Sequence, residues 1–219
     1  MSKKLICKDL NAANLGPEDF EIKQEETVWN GFFKMYKMRL RHRRFAGDWT
    51  DEISRELFHR GHAAAAVVYD PGRHLIGLIE QFRIGALDAP LGPWCLEVVA
   101  GMVEDGEEIE DLIRRELEEE AGIKEAHLIH ISDYYSTPGG CNEKIHLYCA
   151  LADLNEAEGL FGLEQENEDI YFHVFQADEV FESMLNGRTN NAATLLGLQW
   201  LQFHHPRLRE EYAAGKSGQ

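Results

Sequence analysis

The sequence predicts an α/β fold, a mixed β-sheet sandwiched between helices, with a small β-rich region ahead of it. Three patterns lead there. Strand-like and helix-like segments interleave from residue 63 onward with several short strand connections, as in a layered sandwich. The run Ala63-Ala-Ala-Ala-Val-Val-Tyr69 is apolar throughout, the mark of a strand buried on both faces. Met38-Arg39-Leu40-Arg41 instead alternates apolar and basic residues, as a half-exposed strand would.

In chain order, residues 1–56 are expected to form the N-terminal region, β-rich from about residue 21, and residues 57–219 the main domain. Strands are predicted at Ala63–Tyr69, Leu75–Phe82 and Cys95–Val99. A helix over about 108–121 follows the Asp105-Gly106 turn. Further strands are expected at His127–Ser132, Lys144–Leu151 and Ile170–Phe175. A short helix near Asp178–Leu185 and a longer one over Ala192–Phe203 close the chain, and Pro206 is expected to help end the latter.

Composition narrows the function. In 219 residues, 44% hydrophobic and 10% aromatic content is that of a globular protein with a real core. A net charge of −17 argues against nucleic-acid binding, because a phosphate backbone would be repelled. It does not exclude a small phosphorylated substrate if divalent cations stand between protein and phosphate. Cys7, Cys95, Cys141 and Cys149 have the spacing neither of a disulfide framework nor of a zinc site, which fits a reduced, cytoplasmic setting. The N-terminus lacks the apolar stretch of a signal peptide, and no apolar run approaches the ~18 residues of a membrane span, so no membrane association is expected.

The informative segment is Gly101-Met-Val-Glu-Asp-Gly-Glu107 and its continuation through Arg115-Glu116-Leu117-Glu118-Glu119-Glu120-Ala121-Gly122-Ile123. An acidic run is ordinarily a solvated helix face. At about 100° per residue, Ile109, Leu112, Ile113 and Leu117 form an apolar stripe, and Glu110, Asp111, Arg114 and Glu118 fall on its flank or beyond it. Glu116 and Glu120 break the pattern, because they stack one turn apart in the middle of that stripe. Two neighbouring, desolvated carboxylates would have raised pKa values unless something offsets their charge. A divalent cation is the usual answer, and Mg²⁺ commonly takes one or two carboxylates together with water and substrate phosphate oxygens. Glu119, at the edge of the same face, is a further candidate.

These residues carry a family resemblance. Residues 101–123 match the Nudix box, G-x5-E-x7-R-E-U-x-E-E-x-G-U with U a bulky apolar residue, at all nine fixed positions: Gly101, Glu107, Arg115, Glu116, Leu117, Glu119, Glu120, Gly122 and Ile123. The resemblance implies a Nudix-type α/β/α sandwich and a loop–helix–loop that binds Mg²⁺, or Mn²⁺, against a diphosphate. Glu116 and Glu120 would be metal ligands, and Glu107 and Arg115 an internal ion pair of the kind that a planar guanidinium suits.

Beyond the box, the chain resembles the ADP-ribose-hydrolysing branch of that family. Pro138, in Ser136-Thr-Pro-Gly-Gly140, lies sixteen residues after Gly122; Gly162-Leu-Glu-Gln-Glu-Asn-Glu-Asp169 is an acidic loop; and Asn191-Ala-Ala-Thr194 leads into a helix. The resemblance implies that Glu168 and the Ala100 carbonyl complete the metal shell. Glu166 would be general base on the attacking water, with Glu119 or Glu164 as the alternatives. Phe32, Arg55, Arg83, Pro138 and Glu143 would contact a nucleoside diphosphate sugar, with AMP and ribose 5-phosphate as products. A homodimer that exchanges the N-terminal region is also implied, and Trp29, Phe32, Phe33 and Tyr36 are more aromatic surface than a small appendage can easily bury alone. The alternatives are another diphosphate derivative as substrate (a diadenosine polyphosphate, a different nucleotide sugar, an oxidised nucleoside triphosphate) or a non-catalytic nucleotide sensor.

Two other features point elsewhere but weakly. The basic run Arg39-Leu-Arg-His-Arg-Arg44 reads as an edge strand guarded by charge rather than as a nucleic-acid site. His59 with His62, and His204 with His205, lack partners at zinc-ligand spacing.

Overall fold

The computed structural model describes residues 9–163, 165 and 167–217. It divides into two compact units, one of residues 1–61 with 137–143 and the other of residues 62–136 with 144–219.

The first unit is built on a three-stranded antiparallel sheet of β1 (Phe20–Asn30), β2 (Lys34–His42) and β3 (Ile53–His59), in the order β1-β2-β3. Residues 137–143 join it through β3: the Phe58 N–H donates to the Gly140 carbonyl at 2.8 Å, and the Asn142 side chain meets His59 Nδ1. Phe33 packs edge-on against Phe58, whereas Trp29 and Phe32 are 67% and 87% exposed.

The second unit holds an eight-stranded mixed sheet formed by β4 (Ala63–Asp70), β5 (Leu75–Phe82), β6 (Trp94–Glu97), β7 (Val99–Met102), β8 (His127–Tyr135), β9 (Lys144–Leu151), β10 (Gly159–Phe161) and β11 (Ile170–Gln176). The order β10-β11-β5-β4-β9-β8 is antiparallel except for the parallel β4–β9 pair. Strand β4 is buried on both faces, as its apolar run predicts. Ala65, Val67 and Tyr69 face one core with α2 (Ala177–Ser183) and α3 (Ala192–Ser217), whose contributions include Val180, Leu198 and Leu201. Ala64, Ala66 and Val68 face a second core with Leu112, Ile113, Leu117 and Ala121 of α1 (Ile109–Ala121). The result is the expected α/β/α layering.

The structure corrects three expectations. The basic run beginning at Arg39 is not on an edge, because β2 pairs with β1 on one side and β3 on the other. Cys95–Val99 is not one strand. Strands β4 and β5 pair at Val68–Asp70 and Leu75–Gly77 and then part, so that β6 pairs with Ile79–Phe82 of β5 and β7 with Ala63–Ala66 of β4. At the junction the Val98 N–H leaves the ladder and is satisfied by the buried Thr194 hydroxyl oxygen at 3.0 Å. Pro206 does not end the last helix, which runs on to Ser217. Proline has no N–H for the carbonyl four residues back, which here is that of Gln202. The His205 imidazole lies 3.0 Å from that oxygen through Nδ1 and can donate in its place, so the break is bridged.

Candidate active site

The fork between β4 and β5 brings Ala100 and Gly101 of β7 against the inner face of α1, which carries Glu116 and Glu120. The helix ends on Gly122, at φ +66° in the left-handed region, where the N–H of Gly122 returns to the Glu118 carbonyl at 3.0 Å and that of Ile123 to Leu117 at 2.9 Å. That cap explains the glycine. A side chain there would be strained and would also meet the Phe161 ring. Gly101 has a different reason. A Cβ on it would stand 1.9 Å from Glu116 Oε1, so the backbone of β7 lies directly against that carboxylate.

Glu120 is only 3% exposed, and the Ala100 N–H donates to its Oε2 at 3.0 Å. Burial pushes its carboxyl far above the ordinary range, and the nearby charges of Glu116 and Glu168 push the same way. Burial likewise raises Glu116 to about 7, aided by the Glu119 and Glu168 charges and opposed by Arg115. Arg115 is the hub of the remaining acids. Its Nε donates to Glu107 Oε1 at 3.1 Å, and its Nη1 donates to Glu116 Oε1 at 2.8 Å and to Glu119 Oε2 at 3.0 Å. These contacts raise the guanidinium further and hold the Glu107 carboxyl below its usual value.

The two inward carboxylates therefore share a low-dielectric pocket with too little positive charge. Oxygen donors in that state fit a hard divalent cation, which would relieve both desolvation and mutual repulsion. Convergence is incomplete, however. Among the described residues no three His, Cys, Asp or Glu side chains come close enough to hold a metal ion. Glu168, expected as a third carboxylate, instead accepts from the Leu163 N–H at 3.2 Å and closes its own loop, although its charge still bears on Glu116 and Glu120. Glu166, expected as general base, and Glu164 lie outside the described residues.

A cavity of about 400 Å³ is lined by Arg83, Asp88, Cys95, Glu97 and Asn191 among others. Arg83 Nε donates to Glu97 Oε2 at 2.6 Å, and Asn191 Nδ2 donates to Glu97 Oε1 at 2.6 Å. The Arg83 charge also reaches the Glu120 carboxyl and opposes its upward shift.

A profile of the NUDIX domain matches residues 59–211. The chain belongs to the Nudix family. It is 43% identical over 209 residues to ADP-ribose pyrophosphatase of Escherichia coli (strain K12), covering 95% of this chain and 100% of that one. It is 41% identical over 198 residues to the Haemophilus influenzae ADP-ribose pyrophosphatase, covering 89% and 91%. GDP-mannose pyrophosphatase of Cronobacter sakazakii is more distant, at 33% over 153 residues, covering 68% of this chain and 77% of that one. Among solved structures, the crystal structure of an ADP compounds hydrolase superposes with a TM-score of 0.66, covering 88% of this chain and 98% of that one; at 19% identity this likeness concerns the fold alone.

The Nudix box residues thus converge on one helix and its flanking loops. The other predicted contacts divide between the units. Arg83 stands beside the box. Phe32, Arg55, Pro138 and Glu143 belong to the first unit, where Arg55 donates to the Ser54 carbonyl at 2.8 Å and the Thr137 carbonyl accepts from Cys141 N–H at 3.0 Å to close the turn around Pro138. Glu143 is buried at 6% exposure and ion-paired with Arg60 at 3.2 Å. Sequence reasoning passed over Glu97, although one signal was present: it is the one charged residue in Cys95-Leu-Glu-Val-Val99.

Proposed function

We propose that this Nudix protein hydrolyses the diphosphate bond of ADP-ribose, and of related ADP-sugars, to AMP and ribose 5-phosphate in a Mg²⁺-dependent reaction. The observation that carries the reading is the Glu116–Glu120 pair on the inner face of α1, with Glu120 buried and Glu116 half-buried, within a complete box. Near-complete coverage of two relatives named ADP-ribose pyrophosphatase supports the choice of substrate.

Glu116, Glu120 and the Ala100 carbonyl would hold the cation, with Glu168 joining from the acidic loop. When bound, a divalent cation neutralises the diphosphate, favours ionisation of the attacking water and steadies the leaving phosphate oxygen. The chain's own part is to position and to move a proton. Arg115 fixes Glu107, Glu116 and Glu119 in one network, so the Glu116 carboxylate is oriented before substrate arrives. Glu166 takes the proton from the water as it attacks one phosphorus, with Glu119 the alternative base. Arg83 supplies positive charge to the diphosphate, and Phe32, Arg55, Pro138 and Glu143 shape the nucleoside and ribose contacts. The exposed Trp29 and Phe32 of the first unit support a homodimer in which that unit serves a partner's site. Free buried thiols at Cys95, Cys141 and Cys149, and the absence among the described residues of a helix able to cross a membrane, support a cytoplasmic setting.

A substrate panel tests the assignment. ADP-ribose, GDP-mannose, a diadenosine polyphosphate and an oxidised nucleoside triphosphate are each incubated with Mg²⁺, and the products are resolved chromatographically. ADP-ribose should be cleaved with the highest kcat/KM and yield equal amounts of AMP and ribose 5-phosphate. Faster cleavage of a triphosphate would overturn the substrate, and ligand binding without turnover would favour a nucleotide sensor.

A further inference from the structure

Glu97 is a buried acid of the second unit that the catalytic reading leaves without a task. It is 8% exposed, lies at the end of β6 opposite Ile79, and occupies both of its oxygens with neutral or cationic donors from elsewhere in the chain. Oε2 takes Arg83 Nε and Oε1 takes Asn191 Nδ2, each at 2.6 Å. Asn191 is itself fixed, because its Oδ1 caps α3 by accepting from the Thr194 N–H at 2.9 Å. Thr194 is fully buried and accepts in turn from the Val98 N–H. Glu97 is thus clamped from both sides, by its own strand junction and by the start of α3.

The way it holds Arg83 is specific. A guanidinium paired for charge alone commonly meets a carboxylate through two nitrogens. Here Glu97 engages Nε, and among the described residues the terminal Nη nitrogens meet no other carboxylate. The Arg83 side chain is 44% exposed, against 10% for Glu97, and both line the same cavity. One end of the guanidinium is therefore anchored while its forked end is left for an acceptor in that cavity.

We propose that Glu97, held by Asn191, is a positioning residue that aims the Nη fork of Arg83 at a diphosphate oxygen of the substrate. This rests on the reading of the chain as a diphosphate hydrolase. It adds that the start of α3, remote from the box in sequence, sets the geometry of the cationic contact. A structural ion pair would be equally buried but would not couple to substrate.

A double-mutant cycle separates the two. Glu97→Gln keeps the shape and one acceptor oxygen, so the protein should melt close to the wild type. Its kcat/KM for ADP-ribose should nevertheless fall by on the order of ten- to a hundredfold, because small misplacements of a substrate-orienting group have effects of that size. In an Arg83→Ala background the same change should cost less than about twofold, since there is no fork left to aim. Asn191→Ser, which retains a capping oxygen but removes the donor to Glu97, should show a smaller loss with the same dependence on Arg83, and it serves if Glu97→Gln fails to fold. A Glu97→Gln loss that multiplies in full on Arg83→Ala, or kcat/KM within twofold of the wild type, overturns the proposal. If the wild type cleaves another diphosphate of the panel instead of ADP-ribose, the substrate falls and the cycle is read on that compound. A wild type that cleaves none overturns both.

Discussion

Glu116 and Glu120 sit where an ionised carboxylate is costly, and that cost makes a measurable prediction for the metal-free protein. Burial raises folded Glu116 to about 7 and lifts Glu120 well above the ordinary value of 4.5 that both take in the unfolded chain. Below about pH 4.5 both states are protonated and the two groups cost the folded state nothing. As pH rises through the window from 4.5 to 7 and beyond, the unfolded chain loses these protons first, so folded stability falls. In a chelator, Glu120→Gln should therefore melt at or above the wild-type temperature at pH 7.5, and its advantage should shrink towards pH 5. Its turnover with Mg²⁺ should drop at least about a hundredfold, since even residues behind a metal ligand cost ten- to a hundredfold. An unchanged rate, or a variant less stable than the wild type at pH 7.5, would contradict the role given to this carboxyl. These two glutamates were legible in the sequence because helical periodicity is a strong signal and they interrupt it. Glu97 left a weaker mark, a lone acid in an apolar segment, because its partners Arg83 and Asn191 are distant in the chain and a single acid in a strand has no period to break.

At the scale of elements, α1 works because two glycines let the backbone come close. Gly122 ends the helix in the left-handed region, and Gly101 lets β7 run against the Glu116 carboxylate. Gly101→Ala places a methyl where Glu116 Oε1 now stands, so the carboxylate or the strand must move. We expect a stability loss of about 1–3 kcal/mol, typical of overpacking, in denaturant melts. Activity should fall by more than tenfold, in proportion to the displacement of a ligand rather than to the unfolded fraction. Wild-type kcat at wild-type stability would show that the close approach has no function. Element types were readable from pattern, whereas their joints were not. The apolar segment Cys95–Val99 has no feature that marks its division between two partner strands, because that division is made by the Thr194 hydroxyl arriving from α3. Pro206 misled for a similar reason: the rule that proline ends a helix assumes an unpaired carbonyl, and His205 supplies a local donor that the rule does not count.

Over the whole molecule, a chain of net charge −17 is read as binding a substrate that is itself anionic. The sum is favourable only if cations carry the interaction, with Arg83 as direct help and the buried glutamates as cation ligands. The layered core legible in the apolar strand β4 supports this arrangement by fixing α1 on one face and α3 on the other. The most direct test is cation affinity itself, measured by calorimetry or by the spin resonance of Mn²⁺, with and without AMP, on the wild type and on a Glu116→Gln, Glu120→Gln double variant. The wild type should bind a divalent cation, more tightly with AMP present, and the double variant should lose at least tenfold in affinity while keeping its circular dichroism spectrum. Equal cation affinity in the two proteins would contradict the account.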